Sequence, residues 1–203
     1  MTREGPQPII GLGSGRCGTV SLSLLLNGQL DSEVTHESRP VLPWQFDRDV
    51  LRLRTNDLLD RTSAFAGDVA YYYLPYVRTL ASENHDIRFL CLERDFEEVV
   101  SSMMAKTEGR NHWVDHDGSH WANDPVWDPT MPTYSSMEKE IAVRRYVREY
   151  YQMARRLEHD LTNFRIFPTA ALNGVSSQLE LLEFCGFPQP VPNANIRENR
   201  LLS

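Results

Sequence analysis

A glycine-rich segment at residues 11–21, Gly-Leu-Gly-Ser-Gly-Arg-Cys-Gly-Thr-Val-Ser, constrains the fold more than any other part of the chain. It follows an apolar run at residues 8–12 and leads into an apolar segment at residues 18–26. This order predicts a buried strand, a tight turn and a helix. Glycines let a turn direct its N–H groups inward, and the helix start adds positive potential. We therefore expect a phosphate or sulfate group to bind there; the alternative is a glycine-rich turn without a ligand.

The rest of the chain continues this alternation of strand and helix. Further strands are predicted at residues 33–36, 64–70, 87–92 and 164–167, and helices at 44–59, 73–82, 96–106, 136–160 and 176–185. The helix at 136–160 is expected to be one long surface helix. Strands that alternate with helices predict parallel βαβ units and an open α/β sheet.

Length and composition narrow the class of protein. The 203 residues suit one domain over residues 1–203, and residues 107–135, rich in His and Trp with little periodicity, predict a loop or lid. A net charge of −7 argues against nucleic-acid binding. Three widely spaced cysteines without a CxxC pair fit a reducing cytosol, and no apolar window is long enough for a membrane span. We expect a cytoplasmic protein, and the sequence does not indicate its oligomeric state.

The glycine segment departs from two common nucleotide-binding motifs. Gly13 and Gly18 have the P-loop spacing, but Thr19 stands where the P-loop lysine is required. A dinucleotide motif begins at Gly11 and Gly13, but its third glycine is missing. The basic residue of the segment is Arg16, which lies earlier than a P-loop lysine would.

Residues 16–22, Arg-Cys-Gly-Thr-Val-Ser-Leu, resemble the 5′-phosphosulfate loop of sulfotransferases that use 3′-phosphoadenosine 5′-phosphosulfate (PAPS). Residues 87–102 resemble the 3′-phosphate element of the same family, a strand ending in Arg with a Ser eight residues later. Arg94 and Ser102 have this spacing, and Ser101 is the alternative if the register shifts by one. An arginine at the carboxyl end of a strand faces the crevice where α/β folds bind ligands. The other reading of Arg94 is a surface salt bridge with Glu97 or Glu98.

The resemblance runs from the glycine segment through residue 113 and more weakly to the end. Residues 67–74 are similar to the third-strand segment of the family, and residues 106–113 to bacterial members. Cys17 replaces the usual Ser and Val20 the usual second Thr, and no Gly-x-x-Gly-x-x-Lys occurs near the C-terminus. Asp68 falls near the position where several carbohydrate-modifying members have a catalytic lysine.

The resemblance implies a single-domain open parallel α/β sheet flanked by helices, the P-loop NTPase-like sulfotransferase fold. It also implies transfer of a sulfuryl group from PAPS to a hydroxyl or amine of a small-molecule or carbohydrate acceptor, with no metal. The implied cofactor-binding residues are Gly13, Ser14, Gly15, Arg16, Cys17, Gly18, Thr19, Val20, Ser21, Arg94 and Ser102. The alternatives are a small-molecule kinase with an altered P-loop, which needs Mg²⁺ and a lysine, and a non-catalytic nucleotide-binding module.

Sulfuryl transfer requires a base for the acceptor's proton and positive charge for the bridging oxygen. Arg16 and the loop amides suit the second role. Glu37 is the best candidate for the base, because it follows the second strand at the ligand-binding edge. It lies 21 residues after Arg16, close to the separation in tyrosylprotein and several carbohydrate sulfotransferases. His36 could serve instead or orient Glu37, and Asp68 is a weaker alternative.

The segment 107–135 carries two further patterns. Its histidines recur at i, i+4 and i+8, as His112, His116 and His120. On a helix they would share one face and could bind zinc. Turn residues interrupt that helix, so we predict no metal site. Its aromatic residues either line an acceptor pocket or pack as core beneath the loop; they include Trp113, Trp121 and Tyr134.

Overall fold

The computed structural model describes residues 5–114, 124–135 and 137–196. Five strands form one sheet in the order β2-β3-β1-β4-β5, and every neighbouring pair is parallel. The strands are β1 (Gln7–Leu12), β2 (Ser32–His36), β3 (Phe65–Val69), β4 (Arg88–Glu93) and β5 (Phe164–Pro168). The predicted open parallel α/β sheet is confirmed.

Six α-helices cover the sheet in the described part of the chain: α1 (Thr19–Asn27), α2 (Arg48–Leu59), α3 (Val77–Glu83), α4 (Phe96–Thr107), α5 (Lys139–Asp160) and α6 (Val175–Phe184). Short 3₁₀ helices occur at Tyr71–Tyr76, Asp128–Thr130 and Thr169–Asn173. In these described ranges, no helix combines the length and apolar character needed to cross a bilayer.

Two helix starts differ from the prediction, each for a local reason. The helix predicted from residue 44 begins only at Arg48, because the Asp47 carboxylate accepts the backbone N–H groups of Asp49 and Val50 and so caps it there. The helix predicted over 73–82 is a 3₁₀ helix that contains Pro75, followed by α3. Proline has no N–H to donate, so the first turns do not form a regular α-helix.

α5 is one long helix, as predicted, and it is amphipathic rather than exposed on all sides. One face is buried at helical spacing, with a stripe comprising Ala142, Val143, Tyr146, Val147, Tyr150, Tyr151, Ala154 and Leu157. Arginines occupy the opposite face, where Arg144 pairs with Glu97 and Glu140. The helix is therefore amphipathic, and its tyrosine-rich face packs into the molecule.

The strand order determines where a ligand can bind. After β1, the chain passes through α1 to β2, which lies on one side of β1 in the sheet. After β3, it passes through α3 to β4, which lies on the other side of β1. A crevice forms at such a reversal, outside the carboxyl ends of the strands. β1 is buried along its whole length, so the loop that follows it has a rigid base.

Candidate active site

A cleft of about 2060 Å³ opens at this reversal point. Its walls come from the β1–α1 loop, the end of β2, the β4–α4 turn with α4, and the 3₁₀ helices at Tyr71–Tyr76 and Thr169–Asn173. Residues between 105 and 113 and between 124 and 131, together with Pro168 and Ile196, complete the described lining.

The β1–α1 loop has the backbone geometry of an anion-binding concavity. Gly15, Arg16 and Gly18 have φ angles of 88°, 58° and 93°. Left-handed residues among right-handed ones direct successive N–H groups into one concave surface. Gly18 is also the N-cap of α1, and no side chain caps that helix end, so its first N–H groups and its dipole are directed at the loop.

Tyrosine hydroxyls from α5 hold the loop from behind. The Tyr150 hydroxyl accepts the Gly13 N–H at 3.0 Å. The Tyr146 hydroxyl donates to the Ser14 carbonyl at 3.1 Å, and the Tyr151 hydroxyl lies 3.1 Å from Ser14 Oγ. These buried bonds fix the loop before any ligand binds.

Two of the predicted cofactor-binding residues, Gly13 and Cys17, do not line the cleft. Cys17 Sγ fills the space beside Gly13, where a Cβ would lie only 2.3 Å from the sulfur. Burial raises the pKa of Cys17 to about 11, so its thiol is neutral. Its carbonyl accepts the Thr169 hydroxyl at 2.7 Å. The small Cys17 therefore serves the packing behind the loop.

The remaining predicted cofactor-binding residues line the cleft: Ser14, Gly15, Arg16, Gly18, Thr19, Val20, Ser21, Arg94 and Ser102. Ser101, the alternative to Ser102, lines it as well.

Arg16, Arg94 and Ser102 come together from three different elements. Arg16 Nε donates to Ser102 Oγ at 3.0 Å, and Arg94 Nη1 donates to the Arg16 carbonyl at 3.1 Å. Arg94 Nε also donates to Glu98 at 2.7 Å, so the salt bridge considered as its alternative role is present too. Two guanidinium groups and a hydroxyl thus stand at one end of the cleft, where they suit a dianionic phosphate.

Glu37 lies immediately after β2, and its N–H donates to the Val69 carbonyl at 3.1 Å. Burial, and then the negative charge of Asp68, raise the pKa of Glu37 to about 7. Burial lowers the pKa of the neighbouring His36, whose Nε2 lies 3.1 Å from Thr19 Oγ1 and 4.0 Å from Glu37. A carboxyl group with a pKa near neutrality is suited to general base catalysis.

Asp68, the weaker candidate base, is fully buried and does not line the cleft. The Arg54 guanidinium lies 3.0 Å from its carboxylate, and the Tyr73 hydroxyl donates to it at 3.2 Å. Thr35 and Ser38 donate to its other oxygen. These donors satisfy both oxygens of the Asp68 carboxylate within the fold, so its described role is structural.

His112, which lines the cleft, is paired with Asp128, which is fully buried behind it. His112 Nδ1 lies 2.5 Å from Asp128 Oδ1, and Asp128 Oδ2 accepts the Asp124 N–H at 3.0 Å. Tyr71 is close by and is hydrogen-bonded to Thr130. The sequence pattern indicates His112 as a candidate but not Asp128. No local pattern could have found Asp128, because sixteen residues separate it from His112.

The histidine and aromatic patterns of residues 107–135 are only partly covered by the described structure. His116, His120 and Trp121 lie outside the described residues. Over the described ranges, no three His, Cys, Asp or Glu side chains form a group able to hold a metal ion. Trp113 is fully buried although it borders the cleft, and Tyr134 is buried away from it.

Comparison with known proteins supports the architecture. No protein-family model matches the chain, and no curated protein matches its sequence. Among solved structures, the chain is similar to a sulfotransferase from Alicyclobacillus acidocaldarius, with a TM-score of 0.58 and 15% sequence identity. That match covers 98% of this chain and 88% of the other. The chain therefore has a sulfotransferase-like α/β fold.

Proposed function

We propose that the protein is a PAPS-dependent sulfotransferase that acts on a hydroxyl or amine. One observation carries the proposal: a single cleft joins an anion-binding loop flanked by Arg16 and Arg94 to a carboxyl group, Glu37, with a pKa of about 7. The fold and its similarity to a solved sulfotransferase support this reading.

The cleft residues fit the two anionic groups of PAPS. The N–H groups of the loop and the start of α1 suit the 5′-phosphosulfate. Arg94 and Ser102 suit the 3′-phosphate, which is the group that distinguishes PAPS from ADP and ATP. When bound, PAPS supplies an activated sulfuryl group.

The protein's own residues then have distinct roles in transfer. The oxygen of the acceptor hydroxyl bonds to sulfur while the bond from sulfur to the phosphate oxygen breaks. Glu37 accepts the proton that this hydroxyl loses. Arg16 and the loop N–H groups stabilise the negative charge left on that phosphate oxygen. His36, neutral because burial lowers its pKa, holds the Thr19 hydroxyl beside the loop.

Calorimetry with adenosine 3′,5′-bisphosphate and with ADP tests the cofactor assignment. We expect the wild type to prefer the bisphosphate, and Arg94→Ala to weaken its binding by about 1.5–3 kcal/mol, which erases most of the preference. The matched control is Arg145→Ala, because Arg145 pairs with Glu149 and does not line the cleft. Equal affinity of the wild type for both nucleotides would refute the assignment.

Turnover tests the class of enzyme. Labelled PAPS with a panel of alcohols, sugars, phenols and amines should give sulfated product in excess EDTA. A kinase would lose activity in EDTA, and a non-catalytic module would bind the bisphosphate without turnover.

A further inference from the structure

Glu37 has a backbone conformation that few side chains adopt. Its φ of 49° lies in the left-handed region, which is uncommon for residues other than glycine. Glu37 follows the last residue of β2, and it lines the cleft. Strain of this kind persists only where the surrounding structure holds it, and it concentrates at functional sites. The contacts that hold the backbone of Glu37 therefore bear on what its carboxyl group does.

The segment that carries Glu37, residues 35–38, is anchored to β3 on both sides of the glutamate. Before it, the Thr35 hydroxyl donates to Asp68 Oδ1 at 2.8 Å. After it, the Ser38 hydroxyl donates to the same oxygen at 3.0 Å. Between them, the Glu37 N–H donates at 3.1 Å to the carbonyl of the residue that follows Asp68. A single carboxylate oxygen thus holds the segment before and after Glu37.

Asp68 is itself fixed from the opposite side. It is fully buried, and its second oxygen lies 3.0 Å from the guanidinium of Arg54, which is 1% exposed. The Tyr73 hydroxyl donates to that second oxygen at 3.2 Å and accepts from Arg54 Nε at 2.8 Å. Buried polar networks of this kind rigidify the groups that they join. Arg54 accounts for one oxygen of Asp68, whereas the segment 35–38 accounts for the other.

The same arrangement places a fixed negative charge close to the Glu37 carboxyl. Burial first, and then the charge of Asp68, raise the pKa of Glu37 to about 7. Burial also keeps the nearby imidazole and phenol groups neutral at that pH, because it lowers the pKa of His36 and raises that of Tyr71. The other ionisable groups that act on Glu37 or on Tyr71 are Tyr72, Asp124 and Asp128.

We propose that Asp68 is the positioning residue for the base: it holds residues 35–38 so that the Glu37 carboxyl lies in the cleft, oriented toward the acceptor's proton. Asp68 acts without touching a ligand, since it is buried and does not line the cleft. Its hydrogen bonds offset the strain at Glu37 and so direct its structural role at the base. This inference rests on the proposed sulfotransferase function.

A ¹³C NMR titration of side-chain carboxyl groups measures the pKa of Glu37, with Glu37→Gln to assign its signal. We expect about 7 in the wild type. Asp68→Asn should lower it by at least about one unit, because the lost charge and a released, more exposed side chain both favour the carboxylate. An unchanged pKa in the folded variant would refute the proposal, since loss of a merely structural residue changes stability and not this pKa.

Asp68→Asn leaves Arg54 buried without its ionic partner, which destabilises the fold. Asp68→Asn combined with Arg54→Met removes both charges, and the pKa of Glu37 should fall in this double variant as well. If neither variant folds, Ser38→Ala decides, because it releases the segment 35–38 and leaves the buried ion pair intact.

Turnover of Ser38→Ala tests the positioning directly. It is measured with PAPS and with 4-nitrophenol and glycerol as acceptor probes at about pH 8, where Glu37 is mostly deprotonated, so that a loss reports orientation. We expect kcat to fall roughly three- to tenfold, as for one lost hydrogen bond, with the KM for PAPS unchanged. Ser177→Ala is the matched control, because the Ser177 hydroxyl also makes two hydrogen bonds and does not line the cleft. Full kcat in Ser38→Ala, or an equal loss in Ser177→Ala, would refute the positioning role.

The proposed function and this inference fail in different ways. If the wild type neither binds adenosine 3′,5′-bisphosphate nor turns over either probe, the proposed function is wrong, and the titration still decides whether Asp68 controls Glu37. If the wild type binds and turns over while the pKa of Glu37 is the same in all folded variants, the proposed function stands and the role of Asp68 is refuted.

Discussion

The two ends of the cleft are built in different ways. The end proposed to bind the cofactor is dominated by one continuous loop, which contains the left-handed residues Gly15, Arg16 and Gly18 and is held from behind, at Gly13 and Ser14, by hydroxyl groups of α5. The acceptor end is assembled from single residues of distant segments, such as Glu37, Tyr71 and His112. The proposed anion site is thus encoded in a local backbone conformation, whereas the proposed acceptor site depends on tertiary placement.

The largest effect on one end of the cleft alone is expected from a substitution at Gly18. Its φ of 93° is strained for any side chain, and a Cβ there would lie 3.2 Å from Thr169 and 3.3 Å from Leu172. Gly18→Val should therefore abolish bisphosphate binding, because the loop can no longer form its concave surface.

The matched control is Gly186→Val. Gly186 has nearly the same φ, 90°, but follows α6 and does not line the cleft. This control should lose stability, as measured by thermal unfolding, yet bind the bisphosphate. Normal binding by Gly18→Val would show that the loop is only a turn.

The same contrast explains what could be predicted from sequence. The strands and the loop follow from short apolar runs and glycine spacing. Arg94 and Ser102 are singled out only by the resemblance to the 3′-phosphate element of sulfotransferases, and in the structure each of them bonds to Arg16. The start of α2 and the 3₁₀ helix at Tyr71–Tyr76 differ from the prediction, because one capping carboxylate and one proline decide them. The bond from His112 to Asp128 could not be predicted, because no periodicity links residues that meet only through the tertiary fold.

The acceptor end can be tested separately with Glu37→Gln, which keeps the shape of the side chain and removes its basicity. Turnover should fall by roughly 10²–10⁴-fold, while bisphosphate affinity is retained. His36→Ala should have a smaller effect if His36 only orients its neighbours. In the wild type, the rate should rise as pH increases through about 7, because Glu37 must be deprotonated. Full turnover by Glu37→Gln would eliminate this residue as the base.

Glu37 also makes stability depend on pH in a defined direction. Its pKa is about 7 in the folded protein and 4.5 in a model compound, so the unfolded state loses its proton first as pH rises. The wild type should therefore lose stability relative to Glu37→Gln between about pH 4.5 and 7, and the difference should stay constant above that range. Thermal unfolding of the two proteins across this range measures it.

The smallest effect is expected at Tyr150, whose hydroxyl joins the two ends. It accepts the Gly13 N–H of the loop at 3.0 Å and donates to the carbonyl of Tyr71, beside Glu37, at 3.1 Å. Tyr150→Phe leaves both buried groups without this partner, which should cost about 1–3 kcal/mol of unfolding free energy. Because the loop is then less fixed, bisphosphate affinity should fall by about 3–10-fold, within the range of one lost hydrogen bond.

Tyr134→Phe is the control, since the Tyr134 hydroxyl bonds to Glu149 and to neither end of the cleft. If Tyr150→Phe loses stability but keeps full bisphosphate affinity, the loop does not need its support from α5, and the two ends are energetically independent.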